Sequence, residues 1–171
     1  IKHQVFDLIE KHRTPGTIVT SNTSGIPIKL MSKGRSDDFN KNFAITHFFN
    51  PPRYLNLFEV IPSPNCDKDL LNFLLKYGEK YLGKTSILAK DTPAFIGNRI
   101  GTFGIQSLFH LVKNGDYTIE EIDKLTGSII GRPKSATFRT ADVVGLDTLI
   151  SVSKGIYDSC KNDESIEIFK E

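Results

Sequence analysis

The chain has 171 residues, 39% hydrophobic and 25% charged, a balance that suits one ordinary soluble domain or a small domain joined to part of another. Twenty-two Lys and Arg against twenty Asp and Glu leave a net charge of +2, too little to argue for nucleic acid or an anionic membrane. No apolar run has the length of a membrane span, and Cys66 and Cys160 lack metal-ligand or disulfide-framework spacing, so no metal site is expected and a reducing cytoplasm is the natural setting.

Ile1, Val5, Leu8 and Ile9 lie on one helical face from the outset, and Ile1 is not Met, so the chain is expected to begin inside a longer protein. Residues 1 to 12 read as an amphipathic helix, stopped by Thr14-Pro15-Gly16 before the strand Thr17 to Thr20. Ser21-Asn22-Thr23-Ser24-Gly25 follows that strand directly, at the carboxyl end where open α/β sheets hold ligands; a capping turn for a short helix near Pro27 to Met31 is the other reading. After a polar loop from Lys33 to Asn42, Phe43 to Phe49 and Leu55 to Ile61 read as strands joined by Asn50-Pro51-Pro52-Arg53. A helix from about Asp67 to Leu82 and a strand from Thr85 to Ala89 complete the alternation.

Near residue 91 the pattern becomes helical throughout: roughly 93 to 113, 118 to 126 and 139 to 160. Thr92 is placed to cap a helix whose first residue is Pro93, and Thr118 with Glu121 has capping-box spacing. Gly97, Gly101 and Gly104 occupy the first turns of the first of these helices, where each costs about 1 kcal/mol relative to alanine; a close approach by another element is therefore expected. The fold class is α/β followed by all-α, and the few strands of the α/β part suggest that further strands come from upstream residues.

In Leu55 to Ile61 both faces are mostly apolar, so Glu59 is expected to be buried and to need a partner. An antiparallel hairpin centred on Arg53 pairs residues whose numbers sum to 106, which sets His47 opposite Glu59, within hydrogen-bonding reach. Such a carboxylate fixes the imidazole tautomer and leaves the other ring nitrogen free to accept a substrate proton. No serine or cysteine lies in a nucleophile-elbow pattern, so proton abstraction, for instance from an alcohol undergoing oxidation, fits better than acyl transfer. A structural bridge closing the core is the competing reading. Asn98, early in the helix that follows the domain junction, is a candidate for reaching into a cleft. Arg132, Lys134 and Arg139 form a small basic cluster that reads as solvated surface.

Ser21-Asn22-Thr23-Ser24, His47-Phe48-Phe49-Asn50-Pro51, Glu59-Val60-Ile61, Asp91-Thr92-Pro93 through Asn98-Arg99, and Val144-Gly145-Leu146-Asp147 together resemble the L-3-hydroxyacyl-CoA dehydrogenase family. The resemblance implies a Rossmann-like NAD-binding domain, of which residues 1–91 would be the C-terminal portion, followed by a helical dimerisation domain over 92–171. It also implies NAD-dependent oxidation of an L-3-hydroxyacyl-CoA to the 3-ketoacyl-CoA in fatty-acid β-oxidation, by a cytoplasmic homodimer without a membrane span or a nucleic-acid partner. His47 matches the family's base and Glu59 its paired carboxylate. Ser24 and Asn98 match substrate-binding residues, with Ser24 also near the nicotinamide, and Asn50 matches a residue beside the histidine and cofactor.

The Gly-x-Gly-x-x-Gly phosphate loop of such domains is absent from these 171 residues, so this chain alone is expected to bind NAD weakly and to be inactive. Gly25 after Ser24, and Arg132-Pro133-Lys134-Ser135-Ala136 in place of a more apolar stretch, resemble a bacterial long-chain branch that carries an enoyl-CoA hydratase-like region. Two other readings stay open: a module that only associates through its helices, and a related dehydrogenase for another hydroxy acid.

Overall fold

Val19–Ser21 (β1), Phe43–Phe48 (β2), Leu57–Pro62 (β3) and Thr85–Leu88 (β4) form one sheet in that order in a computed structural model that describes residues 1–170. β1 and β2 are parallel, β2 and β3 antiparallel, and β3 and β4 parallel. The runs Phe43-Ala44-Ile45 and Val60-Ile61 lack polar alternation because both faces of the sheet are covered. Phe43 and Ile45 join Phe6, Phe39, Ile61 and Phe95 in one apolar cluster, while Ala44 joins Phe58, Val60, Leu70 and Leu74 in another. Since β2 side chains alternate, these clusters lie on opposite faces. Helix α1 (Lys2–His12) supplies Phe6 to the first, and α4 (Lys68–Leu82) supplies Leu70 and Leu74 to the second.

Asp67 begins α4 by accepting the Asp69 N–H at 2.7 Å, and Gly83, at φ 62°, ends it in the left-handed conformation that glycine tolerates. Gly78 is the point of closest packing: a Cβ there would stand 2.6 Å from Phe58 Cδ1. The stretch near Pro27 forms a short helix, Ile28–Ser32 (α2). The polar stretch from Lys33 to Asn42, expected as loop, contains a further turn of helix, Asp37–Lys41 (α3). Ser36 Oγ caps it by accepting the Phe39 N–H at 3.2 Å. Its one buried apolar residue, Phe39, is too little to give a periodic signal.

These elements belong to a compact unit spanning Ile1–Ile96, and a second unit, Gly97–Glu171, is helical. Its helices are α5 (Gly97–Lys113), α6 (Ile119–Leu125), α7 (Phe138–Val144) and α8 (Leu146–Ser159). Both bonds of the Thr118/Glu121 capping box form, at 2.9 and 3.2 Å. Asp123 accepts the backbone N–H groups of Thr137, Phe138 and Arg139, fixing the start of α7 with a carboxylate at the positive end of its dipole. Inside the unit, Gln106 donates to the fully buried Ser153 hydroxyl at 2.7 Å, and the Phe109 and Phe138 rings meet edge to face at 4.8 Å.

Three sequence expectations for this unit need correction. The first helix starts at Gly97, not Pro93, because Ala94 and Phe95 adopt φ of 63° and 48°. The helix expected over 139 to 160 is interrupted at Gly145, whose φ of 96° separates α7 from α8. Beyond their own helix backbone and chain neighbours, Gly101 and Gly104 have no atom of the described residues within 4 Å of where a Cβ would stand, so no close approach among those residues explains them.

Arg99 pairs with Asp163. The Ser165 hydroxyl, then Arg99, then the Ser165 N–H hold the Asp163 carboxyl down at about 2, below its ordinary 3.8. A carboxylate depressed in the folded state contributes stability above its unfolded pKa and loses it as pH falls through the folded one. Asp163→Asn is therefore expected to flatten the loss of stability between about pH 4 and about pH 2, followed by circular dichroism.

Candidate active site

The β2–β3 pairing follows the expected register, with Ala44 opposite Pro62 and His47 opposite Glu59. His47 Nδ1 and Glu59 Oε2 lie 2.6 Å apart, with the two residues 5% and 0% exposed. The other carboxylate oxygen, Oε1, accepts the Ile96 N–H at 2.9 Å. Glu59 is thus held at both oxygens, as a buried charge requires. An ionised carboxylate only accepts, so the Nδ1 position carries the proton and donates. With the ring neutral, Nε2 holds the lone pair, and among the described residues it makes no hydrogen bond. A fixed tautomer with a free acceptor nitrogen is the equipment of a general base.

Two aromatic rings meet this imidazole. Phe49, just beyond β2, stands edge to face at 4.7 Å, and Phe95 does the same at 5.4 Å. Phe95 reaches it from the left-handed Ala94-Phe95 turn, in which both residues are buried. Such a conformation costs an L-residue about 1–2 kcal/mol, and consecutive instances persist where packing over-determines them. The turn delivers the Phe95 ring to His47 and the next N–H, that of Ile96, to Glu59.

The remaining sequence candidates occupy neighbouring loops or the second unit. Thr23 and Ser24, half-buried, follow the carboxyl end of β1; exposed Asn50 follows Phe49, and the Asn50–Pro51 peptide is cis. Asn22 Oδ1 accepts the Phe48 N–H at 2.8 Å, tying the loop after β1 to the end of β2. Asn98 is half-buried on the first turn of α5. Burial pushes the Cys66 thiol up to about 11, which keeps it a protonated, unreactive group. Arg132, Lys134 and Arg139 are exposed. A recess of about 300 Å³ on the helical unit is lined by Arg99, Ile100, Phe103, Ser165 and Phe169 and holds none of the candidates. No described helix is long and apolar enough to cross a membrane, and among the described residues no three His, Cys, Asp or Glu side chains are grouped to hold a metal.

Residues 1–92 match the model of the 3-hydroxyacyl-CoA dehydrogenase NAD binding domain, and residues 95–170 match that family's C-terminal domain. The chain belongs to the 3-hydroxyacyl-CoA dehydrogenase family. It is 52% identical over 170 residues to a probable 3-hydroxyacyl-CoA dehydrogenase of Bacillus subtilis, covering 99% of this chain and 21% of that protein. A probable 3-hydroxyacyl-CoA dehydrogenase of Deinococcus radiodurans is 44% identical over 168 residues, covering 98% of this chain and 48% of its own length. The chain therefore spans about half or less of these relatives. The crystal structure of (S)-3-hydroxybutyryl-CoA dehydrogenase from Ralstonia eutropha superposes with a TM-score of 0.83 at 28% identity, over 96% of this chain and 56% of that one. The dehydrogenase-family fold is thus a Rossmann-like sheet with helices followed by a helical C-terminal domain.

Sequence reasoning paired His47 with Glu59 and overlooked their supports, Phe49, Phe95 and the Ile96 N–H. Phe49 lies within the His47-Phe48-Phe49 run, where an aromatic beside a candidate base was the available signal. Phe95 and Ile96 were hidden because the stretch after Pro93 reads as helix.

Proposed function

We propose that the protein carrying this chain oxidises the 3-hydroxyl of an L-3-hydroxyacyl-CoA to a 3-keto group with NAD, a step of fatty-acid β-oxidation. The 2.6 Å contact between His47 Nδ1 and Glu59 Oε2 carries this reading. His47 Nε2 takes the hydroxyl proton, and Glu59 stabilises the imidazolium that results. NAD, when bound, supplies the acceptor for the hydride that leaves C3 as the carbonyl forms. Ser24 and Asn98 bind substrate, and Ser24 and Asn50 contact the cofactor. The segments after β1 and β2, Asn22 to Gly25 and Phe49 to Pro52, carry hydroxyl and amide groups and no carboxylate, which fits a carboxamide and ribose hydroxyls. They do not include a glycine-rich diphosphate loop.

Residues 1–91 form the C-terminal portion of the NAD-binding domain and 92–171 the helical domain, through which two copies pair. Ile129, Ile130 and Val143, at 69%, 56% and 80% exposure, support that pairing, as apolar surface left to be covered. Two free cysteines suit the cytoplasm.

The test is NADH absorbance with the intact protein, NAD and an L-3-hydroxyacyl-CoA, run beside the free hydroxy acid of the same length. Turnover of the thioester is expected. Turnover of the free acid alone, or of neither, would overturn the reading, and sedimentation of the same sample as a monomer would remove the dimer.

A further inference from the structure

The hydrogen bond to Glu59 holds the His47 ring at one edge, and what packs against the ring sets how far it can rock before that bond breaks. Imidazole χ2 is a broad, two-fold torsion. Rotation about it exchanges ring nitrogens for carbons, breaking the Nδ1–Oε2 contact and moving Nε2 away from where it would accept a proton. What faces the ring therefore decides how well the base is aimed. Phe49 and Phe95 both do so edge to face, with interplanar angles of 68° and 71°. They come from separate parts of the chain, one from the end of β2 and one from the left-handed turn before α5. That turn sets two partners at once, since Phe95 faces His47 and the adjacent Ile96 N–H holds the second oxygen of Glu59. A left-handed backbone at a non-glycine aromatic residue is kept where its placement matters.

We infer that Phe49 and Phe95 are positioning residues that clamp the His47 ring, and that the Ala94-Phe95 turn is the device that aims one jaw of the clamp. As an effect on catalysis this rests on the dehydrogenase reading; as an effect on the ring it does not. Neither phenylalanine exchanges a proton. Each acts through His47, by limiting ring rotation and by keeping water from the Nδ1–Oε2 contact.

Histidine-selective ¹⁵N labelling of the protein reads the ring directly. His47 is one of four histidines in these 171 residues, and its signal is assigned by its loss in His47→Gln. The parent is expected to show a low-field Nδ1 proton that exchanges slowly. Phe95→Leu and Phe49→Leu are expected to broaden or erase it and to lower kcat about tenfold with KM for the acyl-CoA nearly unchanged, as misplacement of a catalytic group does. Phe58→Leu is the control: Phe58 is a buried ring that faces Phe48, so its loss weakens the fold and leaves the His47 signal intact. A folded Phe95→Leu protein that keeps the parent signal would overturn the clamp, as would a Phe58→Leu protein that loses it equally. If Phe95→Leu does not fold, Phe49→Leu decides alone, since Phe49 is only half-buried. A parent with the signal and no turnover overturns the dehydrogenase reading, and the variants' signals then decide the clamp.

Discussion

His47→Gln is expected to lower kcat by about 10²–10⁴-fold, the range for loss of a general base, in a protein that still folds. The glutamine amide can donate to the Glu59 oxygen that now receives Nδ1–H at 2.6 Å, so the buried carboxylate keeps a partner. It offers no basic nitrogen at the place of Nε2. His47→Ala differs, because it takes the imidazole away from Glu59, which is fully buried. Removing the partner of a buried hydrogen-bonding group costs about 1–3 kcal/mol, and more where that group is charged. The two variants should therefore share a loss of NADH production and differ in thermal midpoint, the alanine protein melting lower. Near-parent kcat in His47→Gln would return His47 to the role of a core bridge.

The pairing of His47 with Glu59 was legible because it depends on short-range facts. Two apolar runs separated by Asn50-Pro51-Pro52-Arg53 define a hairpin, and once its centre is fixed, side-chain alternation sets every opposite residue. The burial of Glu59 was legible for the same reason, since its neighbours on both faces are apolar. The turn at Ala94-Phe95 was not. Local sequence marks positive φ through glycine or asparagine, and neither stands at 94 or 95, where tertiary packing imposes the conformation. Thr92-Pro93 instead offered a plausible helix start, which the chain delays to Gly97.

Elsewhere the misses have similar physical causes. Gly145 breaks the last long helix because its φ of 96° is unfavourable for L-residues, yet isolated glycines also occur inside helices at modest cost, so the sequence pattern ran through it. In α3 the cap at Ser36 and the two aspartates of the first turn were readable, but a single apolar residue gave no period. Gly101 and Gly104 show the reverse: their spacing suggested close packing, and among the described residues no side chain or neighbouring element stands where either Cβ would be. Spacing predicts which residues share a face, and it does not say what lies against that face.

Glu59→Gln should separate a catalytic carboxylate from a structural one most cleanly. The glutamine carbonyl can still accept the Ile96 N–H in place of Oε1, which now does so at 2.9 Å, so the turn keeps its tie and the fold should survive. Its amide group then faces Nδ1 with a donor, and two donors cannot bond. The imidazole is driven to the other tautomer, with the proton on Nε2 and the lone pair on Nδ1. A ring in that state cannot take a proton from a hydroxyl at Nε2, and a neutral amide does not stabilise the imidazolium. The comparable tautomer reversal beside a catalytic histidine lowers kcat by about 10⁴, and a loss of that order is expected here. Glu59→Ala would in addition leave the Ile96 N–H and Nδ1 unpaired beside a cavity, destabilising by about 2–5 kcal/mol. A purely structural bridge predicts another ranking, in which Glu59→Gln turns over like the parent and only Glu59→Ala is impaired, through instability. The kcat of Glu59→Gln, measured on protein shown to be folded, therefore decides between them.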